Sequence, residues 1–527
     1  MTITQWLIFI LIIQLIHGLG TWKLYKKAGR QAWEAFIPIY NAVVLMKIIK
    51  RPWWYVILLF VPIVNLIMFP VVWVETARSF GKNDYKDTIL AIVSLGFYNF
   101  YLNYAANVTY VENRSLQPKS SSGEWVSSIL FAIVAATIVH TYFIQPFIIP
   151  SSSLEKSLLV GDFLFVSKFH YGARVPMTTV ALPMVHDTIP GLGTKSYLFD
   201  DRKEKNETSW KNKLQLPYMR LPGFEEIERN DIVVFNQPAD TLLDMNDFQP
   251  DRNYYKPIDK KTNLVKRCVG VPGDSLEVRD GYVYINGKKN ELPDRAKLQF
   301  AYNIEFKGQI SSEEQVYRIL NRYDITDRVG YDAENQTYFV QATEENAAQA
   351  KNHPNIASIT KRTIPSGVDM NLFPRVAQFP WNYNNFGPIY IPKKGITVNL
   401  DIEVLPLYRR VIEEYEGNDI KVRGNQITIN GQVADSYTFK QDYYWMMGDN
   451  RNNSIDARAW GYVPFDHVVG KPVLIWMSWE NLKNPRWERW FTTVGGSGKA
   501  TSYFIPFLIL LAVIFGFNKW RKRQKKA

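Results

Sequence analysis

At 527 residues the chain is long enough for more than one domain and for a full hydrophobic core. Its single cysteine, Cys268, excludes an intramolecular disulfide and a CxxC metal pair. The formal net charge of +12 does not point to nucleic acid, because the basic residues at the two ends flank apolar runs instead of interleaving with aromatics in one patch.

Five apolar stretches read as transmembrane helices: Ile3–Leu19, Trp53–Val74, Thr88–Tyr104, Trp125–Ile144 and Tyr503–Phe517. A span needs about 20 mostly apolar residues, with about 17 as the lower limit. The first stretch has no positive charge ahead of it, which predicts a permanent anchor and not a cleaved leader. Lysine and arginine concentrate after the first stretch (Lys23, Lys26, Lys27, Arg30, Lys47, Lys50, Arg51) and after the last (Lys519, Arg521, Lys522, Arg523, Lys525, Lys526), which places both segments on the cytoplasmic side. Five spans then put the N-terminus outside, the loop of Arg114 and Lys119 inside, and the block from Pro146 to about Ala500 outside. Losing one middle span would break this parity; losing two would restore it.

The outer block reads as mainly β. Asp231–Phe235, Leu264–Val271, Ser275–Ile285, Asp419–Ile429, Tyr443–Met447 and Val468–Trp476 are β-branched or aromatic runs bounded by Gly, Asn, Asp or Pro. VRDGYVYINGK from Val278 and VRGNQITINGQ from Val422 echo each other, with turn signals at Asp280-Gly281 and Gly424-Asn425 and a second Asn-Gly turn in each. They are expected to be two hairpins of one antiparallel assembly. Between Pro293 and Asn418 the sequence is polar and aromatic without clean periodicity, as in an insertion.

Three blocks carry candidate chemistry: Ser153 in PFIIPSSSLEKSLLVGD, Lys266 in LVKRCVGVPGD, and GDNRNNSIDARAWG from Gly448 to Gly461. A serine hydroxyl needs a nearby base to act as a nucleophile at neutral pH. None of His17, His140, His170, His186, His353 and His467 sits in a motif beside a nucleophile, although a Ser-His-Asp triad can assemble from distant residues. A lysine serves only when neutral, so burial must pull its pKa down from about 10.4. Strand alternation places Lys266, Cys268 and Gly270 on one face, a small and weakly polar one. The ordinary reading of such a lysine, on this ground alone, is a solvated strand residue.

Taken in order, Pro146–Gly161, Asp231–Phe235, Lys266–Asp274 and Gly448–Pro464, with an apolar span before the first block, resemble bacterial type I signal peptidase, the membrane-bound Ser-Lys endopeptidase family. The resemblance implies Ser153 as nucleophile, Lys266 as general base, Ser151 with the Ser153 N–H as oxyanion hole, and Ser454 as the group that orients the lysine. It also implies Asp456 and Arg458 as a nearby ion pair, and Gly448, Asp449 and Asn450 as supporting residues. Four positions depart from the family pattern: Leu154 stands where methionine is usual, Lys156-Ser157 replace a proline-threonine pair, and Ala457 replaces serine. Leu154 nearly conserves volume. Lys156 adds charge and completes Ser153-Leu154-Glu155-Lys156, an SxxK pattern like that of penicillin-binding proteins, yet no SDN or KTG element accompanies it.

The fold expected is thus a membrane-anchored, mainly β, signal-peptidase-like catalytic domain of antiparallel sheets with about five transmembrane helices. Residues 1–105 form a membrane module, 106–145 a cytoplasmic linker and the fourth span, 146–292 and 419–500 the catalytic domain, 293–418 an insertion, and 501–527 the last span and basic tail. The resemblance implies cleavage of signal peptides from exported preproteins after small residues, at the outer face of the bacterial cytoplasmic membrane, with no cofactor, no metal and no nucleic acid. Membrane lipid and the secretion machinery are the other expected partners. Ile148, Ile149 and Leu158 either line shallow pockets for small side chains or pack in the core. The first hundred residues, with KAGRQAWEAFIPIYN ahead of a Trp-rich span, resemble a helical membrane module sometimes fused to these peptidases, without assignable chemistry. The competing class is a membrane-anchored β domain that binds peptides or a partner without cleaving them, its site spoiled by Leu154 and Lys156.

Overall fold

The computed structural model describes all residues except 119, 203–205, 207, 239–254, 309–311, 335, 336, 366 and 525–527, so Lys119, Lys525 and Lys526 lie outside the described residues. The chain divides into two compact units. One comprises Met1–Phe143, Arg174–Leu221 and the described part of Thr241–Lys261; the other comprises Ile144–Ala173, the described part of Pro222–Asp240, and Thr262 onward. Arg174–Leu221 therefore clusters with the N-terminal helices and not, as the sequence reading has it, with the catalytic block.

Three helices among the described residues are long and apolar enough to cross a membrane: Ile3–Lys27, Ser121–Phe143 and Phe504–Gln524. The other two stretches are broken. Trp53–Val74 folds as Tyr55–Leu58 and Val64–Ser79, separated by Ile63 at a φ of 69°. Thr88–Tyr104 falls in Tyr85–Val93 and Tyr98–Tyr104, separated by Leu95 and Gly96 at positive φ. The longest of these pieces has 16 residues, about 24 Å at 1.5 Å per residue and short of a hydrocarbon core of about 30 Å. Two of their polar side chains are paired within the module: Arg51 and Arg114 both donate to buried Glu75, and the Asn103 side chain accepts from the Lys23 and Leu24 N–H groups.

The second unit is mainly antiparallel β. Its main sheet runs, in spatial order, Ile144–Ile148, Asp162–Ser167, Val468–Glu480, Ile232–Asn236, Asn263–Gly270, Tyr443–Met447 and Val463–Pro464. The central strands are apolar along their length because both faces are covered: Ile232–Asn236 and Tyr443–Met447 are buried throughout. The two echoing segments are hairpins, with Arg279 opposite Tyr282 and Arg423 opposite Gln426. Asp280 and Gly281 both take positive φ, as a two-residue turn matching strand twist requires. The hairpins are not in one sheet. The first joins Phe386–Tyr390 and Lys288–Lys289, the second only Gln432–Val433. What they share is the core, to which Val278, Val283, Ile420 and Ile427 all contribute.

The insertion is ordered over most of its length. Phe300–Phe306, helix Glu313–Asn321, Asp327–Asp332, Thr337–Ala342, helix Glu344–Ala350 and Ile356–Lys361 follow one another. The strands form their own four-stranded antiparallel sheet, with the fourth, first, third and second side by side. This is a split βαβ arrangement. It has its own core of Phe300, Ile304, Val316, Leu320, Ile325, Val340 and Ile356 among others. Helical and strand periods alternate over short runs here, and turn residues interrupt them, which is why no single period stands out in the sequence.

Candidate active site

The nucleophile candidate is presented by a strand-to-turn transition. Ile144–Ile148 pairs with Asp162–Ser167, Ser151 is extended, and Ser152–Leu154 form one 3₁₀ turn. Leu154 and Leu158 are buried in the cluster of Ile149, Leu164, Val166, Ile232 and Val234, so the turn is bolted to the sheet by apolar side chains on either side of Ser153. Of the three residues weighed as pocket lining, Ile149 and Leu158 are core and Ile148 is exposed.

Asn263–Gly270 carries Lys266 from the other direction. Lys266 Nζ lies 2.6 Å from Ser153 Oγ, and both residues are buried, at 4% and 7% exposure. The amine pKa is pushed down from its ordinary 10.5 to about 8. Burial is the largest cause, Arg458 assists, and Asp456 and Asp449 oppose. Lys266 is thus no solvated strand lysine. No histidine is a hydrogen-bond partner of Ser153 among the described residues: His170 contacts Ser167, His467 contacts Asp466, and His186 contacts the Lys261 carbonyl.

Tyr443–Met447 leads into the third block. Gly448 passes against the Ser152–Leu154 turn so closely that an added Cβ would stand 2.6 Å from the Ser153 carbonyl oxygen and 2.3 Å from Ser454 Oγ. No side chain fits there. The Asn450 N–H donates to the Ser153 carbonyl at 3.1 Å, and its side-chain amide donates to the Ser152 carbonyl at 3.2 Å. Asp456 accepts from the Gly448 N–H at 3.0 Å and from Arg458 through both its oxygens at 2.9 and 2.7 Å; acid and guanidinium are fully buried. Ser454 Oγ is buried and makes no hydrogen bond among the described residues, so the expected bond from Ser454 to Lys266 is not formed here. Ser151 is exposed at the mouth of the turn.

Several neighbours went unmarked in the sequence. Arg267 donates to both oxygens of Asp449, at 2.8 and 2.6 Å, with both residues out of water. Ser157 also donates to Asp449. Asn453 donates to Ser152 Oγ at 2.9 Å. Arg267 and Ser157 each lie inside a block already singled out, but nothing local distinguishes a buried partner of Asp449 from a surface residue.

The structure also resolves what Lys156 does. Its backbone takes a φ of 68°, a region closed to the proline usual at this position. Its amine donates to Asp324 at 2.6 Å and to Thr326 at 3.2 Å. The SxxK geometry is therefore absent, and the added charge is engaged by the insertion.

Glu155, between the two, has a carboxyl pushed up from 4.5 to about 7, chiefly by burial, with Asp327 and Asp162 adding to the rise and Lys156 and Arg486 opposing it. A carboxyl whose folded pKa is raised favours folding while protonated, and that contribution is lost as pH climbs from 4.5 through 7. Glu155→Gln should therefore raise the melting temperature at pH 8 and leave it unchanged at pH 4. An equal shift at both pH values would contradict the assignment.

A family model described as "Signal peptidase, peptidase S26" matches residues 122–356 and 433–479, together more than half of the chain. A second, "Family of unknown function (DUF5684)", matches residues 33–113. Relatives named Signal peptidase I include one from Buchnera aphidicola subsp. Schizaphis graminum, 24% identical over 412 residues, covering 76% of this chain and 88% of that protein. Another, from Haemophilus influenzae, is 23% identical over 391 residues, covering 73% of this chain and 79% of the relative. A third, from Helicobacter pylori strain 26695, is 23% identical over 389 residues, covering 71% and 93%. With a mainly β domain, apolar helices long enough to span a bilayer and this extent of match, the chain belongs to the signal peptidase S26 family of serine peptidases.

Proposed function

We propose that this protein removes signal peptides from exported preproteins, with Ser153 as nucleophile and Lys266 as general base. The observation that carries the reading is the buried 2.6 Å contact between Lys266 Nζ and Ser153 Oγ, with no histidine bonded to Ser153 among the described residues. An amine of depressed pKa is neutral in a useful fraction of molecules near pH 8 and can accept the hydroxyl proton. The Ser153 Oγ then attacks the scissile carbonyl carbon. The oxyanion is met by the Ser153 N–H, at the start of a turn whose first N–H groups have no partner within it, and by the Ser151 hydroxyl. The Lys266 ammonium returns its proton to the leaving amine, an acyl ester on Ser153 remains, and a water deprotonated by the same amine hydrolyses it.

Gly448 and the Asp456–Arg458 pair support this by shaping the loop against the nucleophile turn and holding charge behind the lysine. The relatives' name, Signal peptidase I, supports the substrate class. So does the short tether: nine residues lie between Phe143, the end of an apolar helix, and Ser153, at most about 35 Å of extended chain. Small residues before the cleavage site follow from that class.

The three long helices support a cytoplasmic-membrane protein whose catalytic domain lies outside. With the N-terminus outside, the basic segment after Ile3–Lys27 and the tail after Phe504–Gln524 both fall inside. The parity of five spans and of three is the same, because the two broken stretches are lost together. Membrane lipid is then an obligatory surrounding, and secretion machinery a neighbour. The test is cleavage of a preprotein-derived peptide by the full-length chain in detergent. Cut products should end in a small residue, and kcat/KM should rise about tenfold per pH unit up to a midpoint of about 8. Full activity at pH 5 would contradict a lysine base.

A further inference from the structure

Among the contacts of the split βαβ insertion with the segments around Ser153, three bear on the turn that carries it. Its first strand is preceded by Gln299, whose N–H donates to the Asp449 carbonyl at 3.0 Å and whose carbonyl accepts from the Arg451 N–H at 2.9 Å. This is a backbone bridge to the loop that holds Ser153. The segment from the loop after its first helix to the first residue of its second strand supplies the other two. Ile325 is fully buried in the subdomain's own core and fixes that loop. Asp324 on one side of it accepts from Lys156, three residues after Ser153. Asp327 on the other side accepts from the side-chain amides of Asn450 and Asn453. Those two asparagines are the ones that reach the Ser152 carbonyl and the Ser152 hydroxyl.

We infer that the insertion is a clamp on the nucleophile, and that Asp327 is its positioning residue, acting through Asn450 and Asn453 on the Ser152-Ser153 turn. The inference rests on the Ser-Lys reading above but reaches beyond it. An asparagine amide has two N–H donors and would otherwise be free to swing toward water. A carboxylate that accepts from both amides fixes their orientation, and charged acceptors make the stronger bonds. The turn itself has only three residues and cannot hold a hydroxyl to a few tenths of an ångström by its own backbone bonds, so the precision needed for attack comes from groups that lock its carbonyls. Lys156 at positive φ fits the same picture: the turn departs from the family's proline-bearing course and is tied to Asp324 instead.

The test uses the full-length chain in detergent micelles and two readouts. In Asp327→Ala, amide hydrogen exchange of the segment 150–158 should speed up, and kcat should fall about tenfold with KM unchanged, the size expected for losing a charged acceptor. Asp327→Asn keeps an oxygen in the same place and should recover most of kcat. Lys156→Ala should loosen the same segment. Arg318→Ala, on the exposed face of the insertion's first helix, should change neither readout. Unchanged exchange over 150–158 in both Asp327→Ala and Lys156→Ala overturns the clamp, as does a wild-type kcat in Asp327→Ala. A wild-type chain that cleaves no peptide would sink the functional reading alone, since the exchange experiment still decides the clamp.

Discussion

Lys266→Ala should lower kcat by about 10⁴-fold, at the upper end of what a positioned general base supplies, and Ser153→Ala should lower it by on the order of 10⁶ by removing the covalent route. The two effects should not add, because in the proposed mechanism Ser153 and Lys266 act as one unit. Loss of folding would give the same outcome for a different reason, and a third variant separates the two. The Lys266 amine is depressed from 10.5 to about 8, so the folded state disfavours its charged form. Stability from this group is complete above the unfolded pKa and falls as pH drops from 10.5 to about 8, below which the buried ammonium persists at a constant cost. Lys266→Met removes that cost while filling similar space. It should melt no lower than wild type at pH 7, and higher if the aliphatic replacement packs well, yet cleave nothing. Residual turnover in Lys266→Met with the wild-type pH profile would remove the lysine from its role.

The second large effect is on stability. Asp449→Ala leaves Arg267, 1% exposed, without its carboxylate and, among the described residues, with only the Asn230 carbonyl and a long contact to Ser157 as acceptors. Breaking a buried, bidentate pair from one side costs about 3–5 kcal/mol, because the stranded charge cannot reach water. The same change made at the exposed Arg318–Glu314 pair should cost well under 1 kcal/mol. Urea unfolding of the two variants side by side measures the contrast. A double replacement, Arg267→Met with Asp449→Leu, should recover part of the loss in stability, since two apolar groups of similar size leave no orphan charge. If Asp449→Ala unfolds at the wild-type urea midpoint, the pair carries no structural weight.

The sequence by itself determined part of the catalytic block's strands and both hairpins, because period-two alternation and short turns containing Gly with Asp or Asn are local facts: Tyr443–Met447 has the same bounds in the structure as in the sequence reading, and Arg279 faces Tyr282 across the turn it specifies, whereas Asp162–Ser167 and the four strands of the insertion carry no such mark. It also determined membrane association, since apolar length is read directly from the chain. It did not determine that two of the apolar stretches break at Ile63 and at Leu95-Gly96, since those kinks are backbone conformations adopted in the packed helical module. Nor could it separate the two hairpins into different sheets, because pairing between distant strands leaves no local mark. Ser153 and Lys266 were singled out by block order and resemblance, but their contact spans 113 residues of chain and exists only once the main sheet has assembled. The burial that shifts the amine, the Asp449–Arg267 pair and the contacts of Asp324 with Lys156 and of Asp327 with Asn450 and Asn453 were decided by the tertiary structure alone, because desolvation and hydrogen-bond geometry are properties of the space around a residue and not of its neighbours in the chain.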